Sequence, residues 1–172
     1  MLDFCSSFLN KQCYFGCYPN PAQFNELVEN DIKYFIDLTT VRERDKLQFD
    51  YSFLIPNLEG LVYYNFSIVD NNIPHCPLLY DEFVQTLNRI ISQKKERVYI
   101  HCRGGHGRSP MLVASILCCL FFYTPYEALT LTKNYYANRF NLKEKYKGIP
   151  CPQLYSQRKF IIDLYQIGRA HV

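Results

Sequence analysis

The chemistry-bearing stretch of this 172-residue chain is Val98-Tyr99-Ile100-His101-Cys102-Arg103-Gly104-Gly105-His106-Gly107-Arg108-Ser109. A β-branched and aromatic run leads into Cys102. Five residues follow, three of them glycine, and then Arg108, Ser109 and a long apolar segment. The pattern predicts a strand, a tight loop and a helix N-terminus. Glycines bring backbone N–H groups close to a ligand with no Cβ in the way, and such groups at the positive end of a helix form an anion nest. A phosphate fits there, and so does a thiolate. A free thiol has a pKa of about 8.5, and a helix N-terminus with nearby cations lowers it to roughly 3.5–7.5, so Cys102 is expected as a nucleophilic thiolate. Arg108 supplies a planar fork that matches two phosphate oxygens, a geometry Lys lacks. Arg103, Gly104, Gly105, His106 and Gly107 are the expected phosphate-binding backbone. Ser109 is placed to donate to the sulfur as it leaves. Together these residues imply attack on phosphorus and a phospho-cysteine intermediate.

Two plainer readings compete. Cys102 could be one more buried thiol among eight cysteines, but packing does not require three glycines and an Arg-Ser at this spacing. His101, Cys102 and His106 could ligate zinc, but no second Cys/His pair stands at finger-like spacing, so no metal or other cofactor is expected.

The motif His-Cys-x5-Arg-Ser resembles the signature of the cysteine-dependent protein phosphatases, and the short chain is most similar to their atypical dual-specificity branch. Pro110 departs from the Gly more usual after the Ser, which is tolerable in a first helical turn. The resemblance implies hydrolysis of phosphotyrosine and phosphoserine or phosphothreonine. It also implies an acid that protonates the leaving oxygen. Asp70 lies 32 positions before Cys102 on the loop Val69-Asp70-Asn71-Asn72-Ile73-Pro74, in the order of that family's acid loop. A loop placement suits a residue that closes over substrate. The competitor, Asp81, stands in Tyr80-Asp81-Glu82-Phe83 at the head of an expected helix, where acids complement the dipole; Asp70 is preferred. In the same family a carboxylate often supports the loop Arg, which makes Glu43 a supporting candidate together with His101, against the alternative of a solvated charge in the run Arg42 to Lys46.

The elements that would position these residues follow in order. Two extended pieces fill 1–18. A helix is expected from Asn20 to Asn30, with Asn20 as N-cap and Pro21 first. A buried strand covers Lys33 to Leu38 and another Tyr63 to Ile68. Helices follow around Phe83–Ile91, over Ser109–Tyr123, over Tyr126–Arg139 and around Phe160–Leu164. The fold class is therefore α/β, a central mostly parallel sheet flanked by helices, the phosphatase-like sandwich, with ligand at the carboxyl end of the strand ending at His101.

The length predicts a single catalytic domain over 1–166. A net charge of +3 is too small to argue for nucleic acid. The longest largely apolar run, Met111 to Tyr123, has 13 residues, too short to span a bilayer. Cysteines at irregular spacing suggest a reducing compartment, cytoplasmic or nuclear, and a monomer is expected. The last six residues, Ile167 to Val172, can be written in codons as ATC GGA AGA GCA CAC GTC, the start of a short-read sequencing adapter. They are expected to be a non-native tail, and His171 is not a site candidate.

The absence of a Lys-Asn-x-x-Tyr element favours a shallow, dual-specificity pocket acting on phosphorylated protein. Arg103 and His106 add basic groups to the loop, somewhat as in phosphoinositide phosphatases, which is the alternative substrate class. Only Arg103 is permanently charged, because His is near neutral at physiological pH. A catalytically silent phosphate-binding module is the third reading, disfavoured because Cys102, Arg108, Ser109 and Asp70 are all present.

Overall fold

The computed structural model describes the backbone of residues 2–170 and the side chains of 2–166. The expected tail, 167–172, therefore lies entirely outside the described side chains, although the backbone of the last helix runs through Ala170.

Five short strands form one sheet: β1 (Cys5–Phe8), β2 (Cys13–Gly16), β3 (Tyr34–Asp37), β4 (Val62–Asn65) and β5 (Val98–His101). Their order is β1-β2-β5-β3-β4. The β1–β2 hairpin is antiparallel and every other pair is parallel. Parallel neighbours need crossovers, supplied by α1 (Pro21–Glu29), by the segment bearing α2 (Val41–Arg44), and by α3 (Pro77–Ser92). Helices α4 (Arg108–Phe121), α5 (Pro125–Ala137) and α6 (Tyr155–Ala170) complete the chain. This is the expected α/β sandwich.

The period-two alternation of the central strand splits the core between two layers. Val98, Ile100 and Cys102 join Met111, Leu112, Ile116 and Ile161 on the α3–α6 side. Tyr99 joins Phe24, Leu27, Phe35 and Tyr51 on the α1 side. Because β5 lies in the middle of the sheet, its C-terminal end is flanked by the ends of β2 and β3, with Gly16 and Asp37 both in register with His101.

Local chemistry explains the boundaries. Asn20 caps α1 through the Gln23 N–H at 2.8 Å, with Pro21 behind it, as expected. The second long strand stops at Asn65 rather than Ile68 because its partner β3 ends at Asp37. Phe66 and Ile68 still donate to the Asp37 and Leu38 carbonyls. Helix α3 starts at Pro77, before Asp81, and its first turn holds no acid. The expected dipole-complementing role of Asp81 is therefore corrected, since that residue lies in the second turn. Helix α5 begins at Pro125 behind a Thr124–Glu127 capping box and ends at Ala137. Helix α4 stops where Phe122 turns left-handed at φ 57°.

Candidate active site

The loop from Cys102 to Gly107 joins β5 to α4, so the end of the central strand and a helix N-terminus meet around one hollow of about 200 Å³. Its lining includes Asp70, Cys102, Arg103, Gly104, His106 and Arg108. A larger hollow, about 960 Å³, runs along the β1 edge past Ser7, Lys11 and Arg97 and holds none of these groups. Volume is no guide to chemistry here.

Four of the loop carbonyls are tied by hydrogen bonds to other groups of the protein. The Cys102 oxygen accepts from His101 Nδ1 at 3.1 Å. The Arg103 oxygen accepts from the Tyr18 N–H at 3.1 Å, and the His106 oxygen from the Gln153 N–H at 2.9 Å. The Gly105 oxygen accepts from Arg139 Nη2 at 3.3 Å. A trans peptide carries its C=O and N–H on opposite sides. These ties therefore turn the N–H groups of Arg103, Gly104, His106 and Gly107 inward, a nest for an anion. Gly105 has φ 82°, and a Cβ there would stand 2.5 Å from the Gly16 carbonyl carbon, so only glycine fits.

Cys102 is 3% exposed. Its Sγ receives the Gly105 N–H at 3.2 Å and lies 3.5 Å from Ser109 Oγ. Burial pushes the Cys5, Cys13 and Cys151 thiols up to about 12, so they remain protonated and inert.

Arg108 is 1% exposed, and both of its terminal nitrogens are engaged. Nη1 and Nη2 bond Glu43 Oε1 and Oε2 at 2.7 and 2.9 Å. Nη1 also donates to the Ile68 carbonyl at 2.8 Å, and Nη2 to Asp70 Oδ1 at 3.0 Å. Glu43 is thus bound rather than solvated. It is presented by α2, where it forms a capping box with Thr40. Burial opposes its charge, but the Arg108 hydrogen bonds and the Thr40 N–H outweigh it and hold the carboxyl below its usual range. Burial also works against the Arg108 cation, and Glu43 reverses this to give a net upward shift.

His101 is fully buried, and burial lowers its pKa despite nearby Asp37. Because a carbonyl can only accept, Nδ1 carries the proton donated to the Cys102 oxygen. Nε2 then accepts from the Tyr51 hydroxyl at 2.6 Å.

His106 is held by partners from outside the loop. Its Nδ1 meets the Tyr136 hydroxyl at 2.6 Å, and its ring stacks on Tyr146 at 3.8 Å. Burial, then Arg139, Lys145 and Lys143, lower its pKa to about 4. It is neutral at physiological pH and adds no charge to the loop, leaving exposed Arg103 as the extra basic side chain there. Asp70 lines the hollow with a carboxylate 58% exposed, whereas Asp81 does not line it.

Three partners had no signal in the sequence: Tyr51 behind His101, the Ile68 carbonyl on Arg108, and Gln157 of α6. Gln157 is 1% exposed and lines the hollow. It packs so closely on Gly107 that a Cβ at that glycine would meet its Oε1 at 2.8 Å. All three are brought in by tertiary contacts from distant segments, a kind of information that local spacing does not carry. Among the described residues no group of three or more His, Cys, Asp or Glu could hold a metal ion, and no helix is long and apolar enough to cross a membrane.

A Cys at the floor of an amide nest, with a buried Arg and a carboxylate beside it, is the arrangement expected of a cysteine-dependent phosphatase site. The family model described as "Polymorphic toxin system, DSP-PTPase phosphatase" matches residues 12–120, and the chain belongs to this dual-specificity phosphatase family. The chain is 34% identical over 128 residues to the candidate tyrosine phosphatase 197R of Invertebrate iridescent virus 6, covering 73% of this chain and 46% of that protein. It is 30% identical over 158 residues to the candidate tyrosine phosphatase 067L of Invertebrate iridescent virus 3, covering 91% and 63% respectively. The chain thus spans about half to two-thirds of the length of these relatives. The crystal structure of Tk-PTP in its active form superposes with a TM-score of 0.75 at 17% identity, covering 96% of this chain and 99% of that one, and shows the same fold.

Proposed function

We propose that the chain hydrolyses phosphate monoesters on phosphotyrosine and phosphoserine or phosphothreonine of proteins through a phospho-cysteine intermediate. One observation carries this reading: Cys102 Sγ lies within the loop that its own carbonyl ties turn into an anion nest, 3.2 Å from the Gly105 N–H. A phosphate seated on the inward N–H groups of 103–107 presents its phosphorus to that sulfur. Arg108 and the nest bind the equatorial oxygens, where the negative charge is spread in a phosphoryl-transfer transition state. The S–P bond forms, the P–O bond to the substrate breaks, and Asp70 gives its proton to the departing oxygen. A water then attacks phosphorus and loses its proton to the Asp70 carboxylate. The S–P bond breaks, Ser109 Oγ–H stabilises the returning thiolate, and inorganic phosphate leaves. Glu43 and His101 act through Arg108 and the Cys102 carbonyl, as positioning residues.

The small, open hollow suits side chains of different length. Neutral His106 supports protein over inositol phosphates, because it removes one of the two extra charges the alternative requires. The site uses no cofactor in this scheme. The reading also places one catalytic domain over 1–166, acting as a monomer on phosphorylated protein in the cytoplasm or nucleus.

The test is an acid quench during turnover of a ³²P-labelled phosphotyrosyl peptide. Wild type should yield protein-bound label, and Cys102→Ser should yield none and no turnover while still binding vanadate. Turnover retained in Cys102→Ser would end the thiolate mechanism. A parallel panel of phosphotyrosine, phosphothreonine and phosphoinositide substrates tests the substrate class, and a strong lipid preference would reverse it.

A further inference from the structure

The proposed acid, Asp70, sits between two carbonyls that are each held from outside the loop. Before it, the Ile68 oxygen accepts from Arg108 Nη1 at 2.8 Å. After it, the Asn72 oxygen accepts from Gln157 Nε2 at 3.3 Å. Between these anchors the turn is locally self-bonded. Asp70 Oδ1 receives the Asn71 N–H at 3.0 Å, Asn72 Nδ2 donates to the Asp70 oxygen at 3.1 Å, and Asn71 holds φ 60°. A segment closed on itself in this way moves as a unit, so its external anchors set where the carboxyl points.

The two sides differ once substrate arrives. Arg108 Nη2 bonds Asp70 Oδ1 as well as Glu43 Oε2, and it is one of the two nitrogens a guanidinium fork would offer a phosphate, so substrate competes for the Asp70 bond. The Gln157 bond has no such competitor. Gln157 is itself fixed, because its Oε1 accepts the Leu154 N–H at 3.3 Å at the start of α6 and its side chain rests on Gly107. It therefore refers the acid loop to the phosphate loop and to α6 at once.

We propose that Gln157 is a positioning residue for proton donation: its amide holds the Asn72 carbonyl so that Asp70 remains over the scissile oxygen after Arg108 has turned to the phosphate. This rests on Asp70 being the acid.

The experiment compares Gln157→Leu and Gln157→Met, two uncharged replacements of similar length, across aryl and alkyl phosphates of graded leaving-group basicity, alone and combined with Asp70→Asn. Losing one neutral hydrogen bond that aims the acid should slow alkyl phosphates about tenfold and leave aryl esters with weakly basic leaving groups within about twofold. In the Asp70→Asn background neither replacement should slow any ester further, because the group it aims is gone. An equal loss on all esters, or a loss that multiplies with that of Asp70→Asn, would overturn the proposal while leaving the acid assignment standing. If Asp70→Asn itself shows no leaving-group selectivity, the acid assignment falls and this inference falls with it. Vanadate affinity and thermal midpoint, measured on the same proteins, identify a variant that has lost the folded site. If both replacements do so, Gln157 is a packing residue and the positioning role is rejected.

Discussion

The two loops that face each other across the hollow are built in opposite ways. The loop proposed to bind phosphate, 102–107, carries the proposed nucleophile Cys102, which is 3% exposed. Four of its carbonyls are tied down by His101, Tyr18, Arg139 and Gln153. The acid loop, 69–74, exposes Val69 by 61%, Ile73 by 41% and the Asp70 carboxylate by 58%. It reaches the rest of the protein through Arg108 and Gln157. The difference matches the tasks. Donors that stabilise developing charge act best when already in place, because nothing has to reorganise at the moment of reaction. An acid must admit substrate before covering it, so a lightly anchored loop suits it.

The strongest way to break the comparison is Arg108→Lys. Lys keeps the charge but loses the fork and leaves Glu43 poorly paired, so kcat/KM should fall by about 10³–10⁵, the range for an arginine that stabilises a transferring phosphoryl group. Near-normal kinetics would make the Arg a structural member of the loop. Next comes Asp70→Asn, expected to cost about 10²–10⁴ on alkyl and tyrosyl phosphates and far less on esters with weakly basic leaving groups. It should also flatten the basic limb of the pH–rate profile. The same selectivity in Asp81→Asn, with a uniform loss in Asp70→Asn, would move the acid to α3.

Gly105→Ala tests the rigid side alone. A methyl 2.5 Å from the Gly16 carbonyl carbon, on a backbone at φ 82°, should cost about 1–3 kcal/mol of stability. Calorimetry should show a lower Tm and titration weaker vanadate binding. Unchanged values for both would mean that the loop is less constrained than its ties imply. The smallest effect concerns His106. Its pKa of about 4 in the fold lies below the 6.5 of an unperturbed imidazole, so the unfolded chain binds the extra proton first. The stability that this histidine contributes is complete above pH 6.5 and is lost as pH falls from about 6.5 towards 4. His106→Asn should flatten that part of the Tm–pH curve. Acidification to pH 5 should also bring no gain in phosphoinositide turnover, and a gain would show that His106 acquires charge there.

The rigid loop was also the legible one. Its nucleophile, glycines, clamp and hydroxyl lie within Cys102–Ser109, so spacing alone carried the geometry. Asp70 was legible as a carboxylate on a Pro-containing loop after a strand, and Glu43 only through the family resemblance. That His106 is near neutral was legible from its residue type, but the further lowering of its pKa to about 4 was not, because it comes from burial and from Arg139, Lys145 and Lys143 on later segments. Tyr51 and Gln157 were equally hidden, lying 50 and 85 residues from the groups they bond. The fold shows the same division. Asn20 with Pro21 announced a helix start that depends on neighbours in sequence. The end of β4 depended on where a different strand stopped.

The outward ties of the phosphate loop have a consequence for how activity appears during synthesis. The knot that shapes the nest draws one strand from near the beginning of the chain, at Tyr18, and two from beyond α4, at Arg139 and Gln153. The sheet can pair once β5 has been made, but the nest lacks one tie until Arg139 is made after α5 and another until Gln153 is made before α6. A ribosome-bound nascent chain halted before Arg139 would therefore carry every residue of the signature and still be a poor binder of phosphate, so the nest is completed in steps by segments made long after the signature itself.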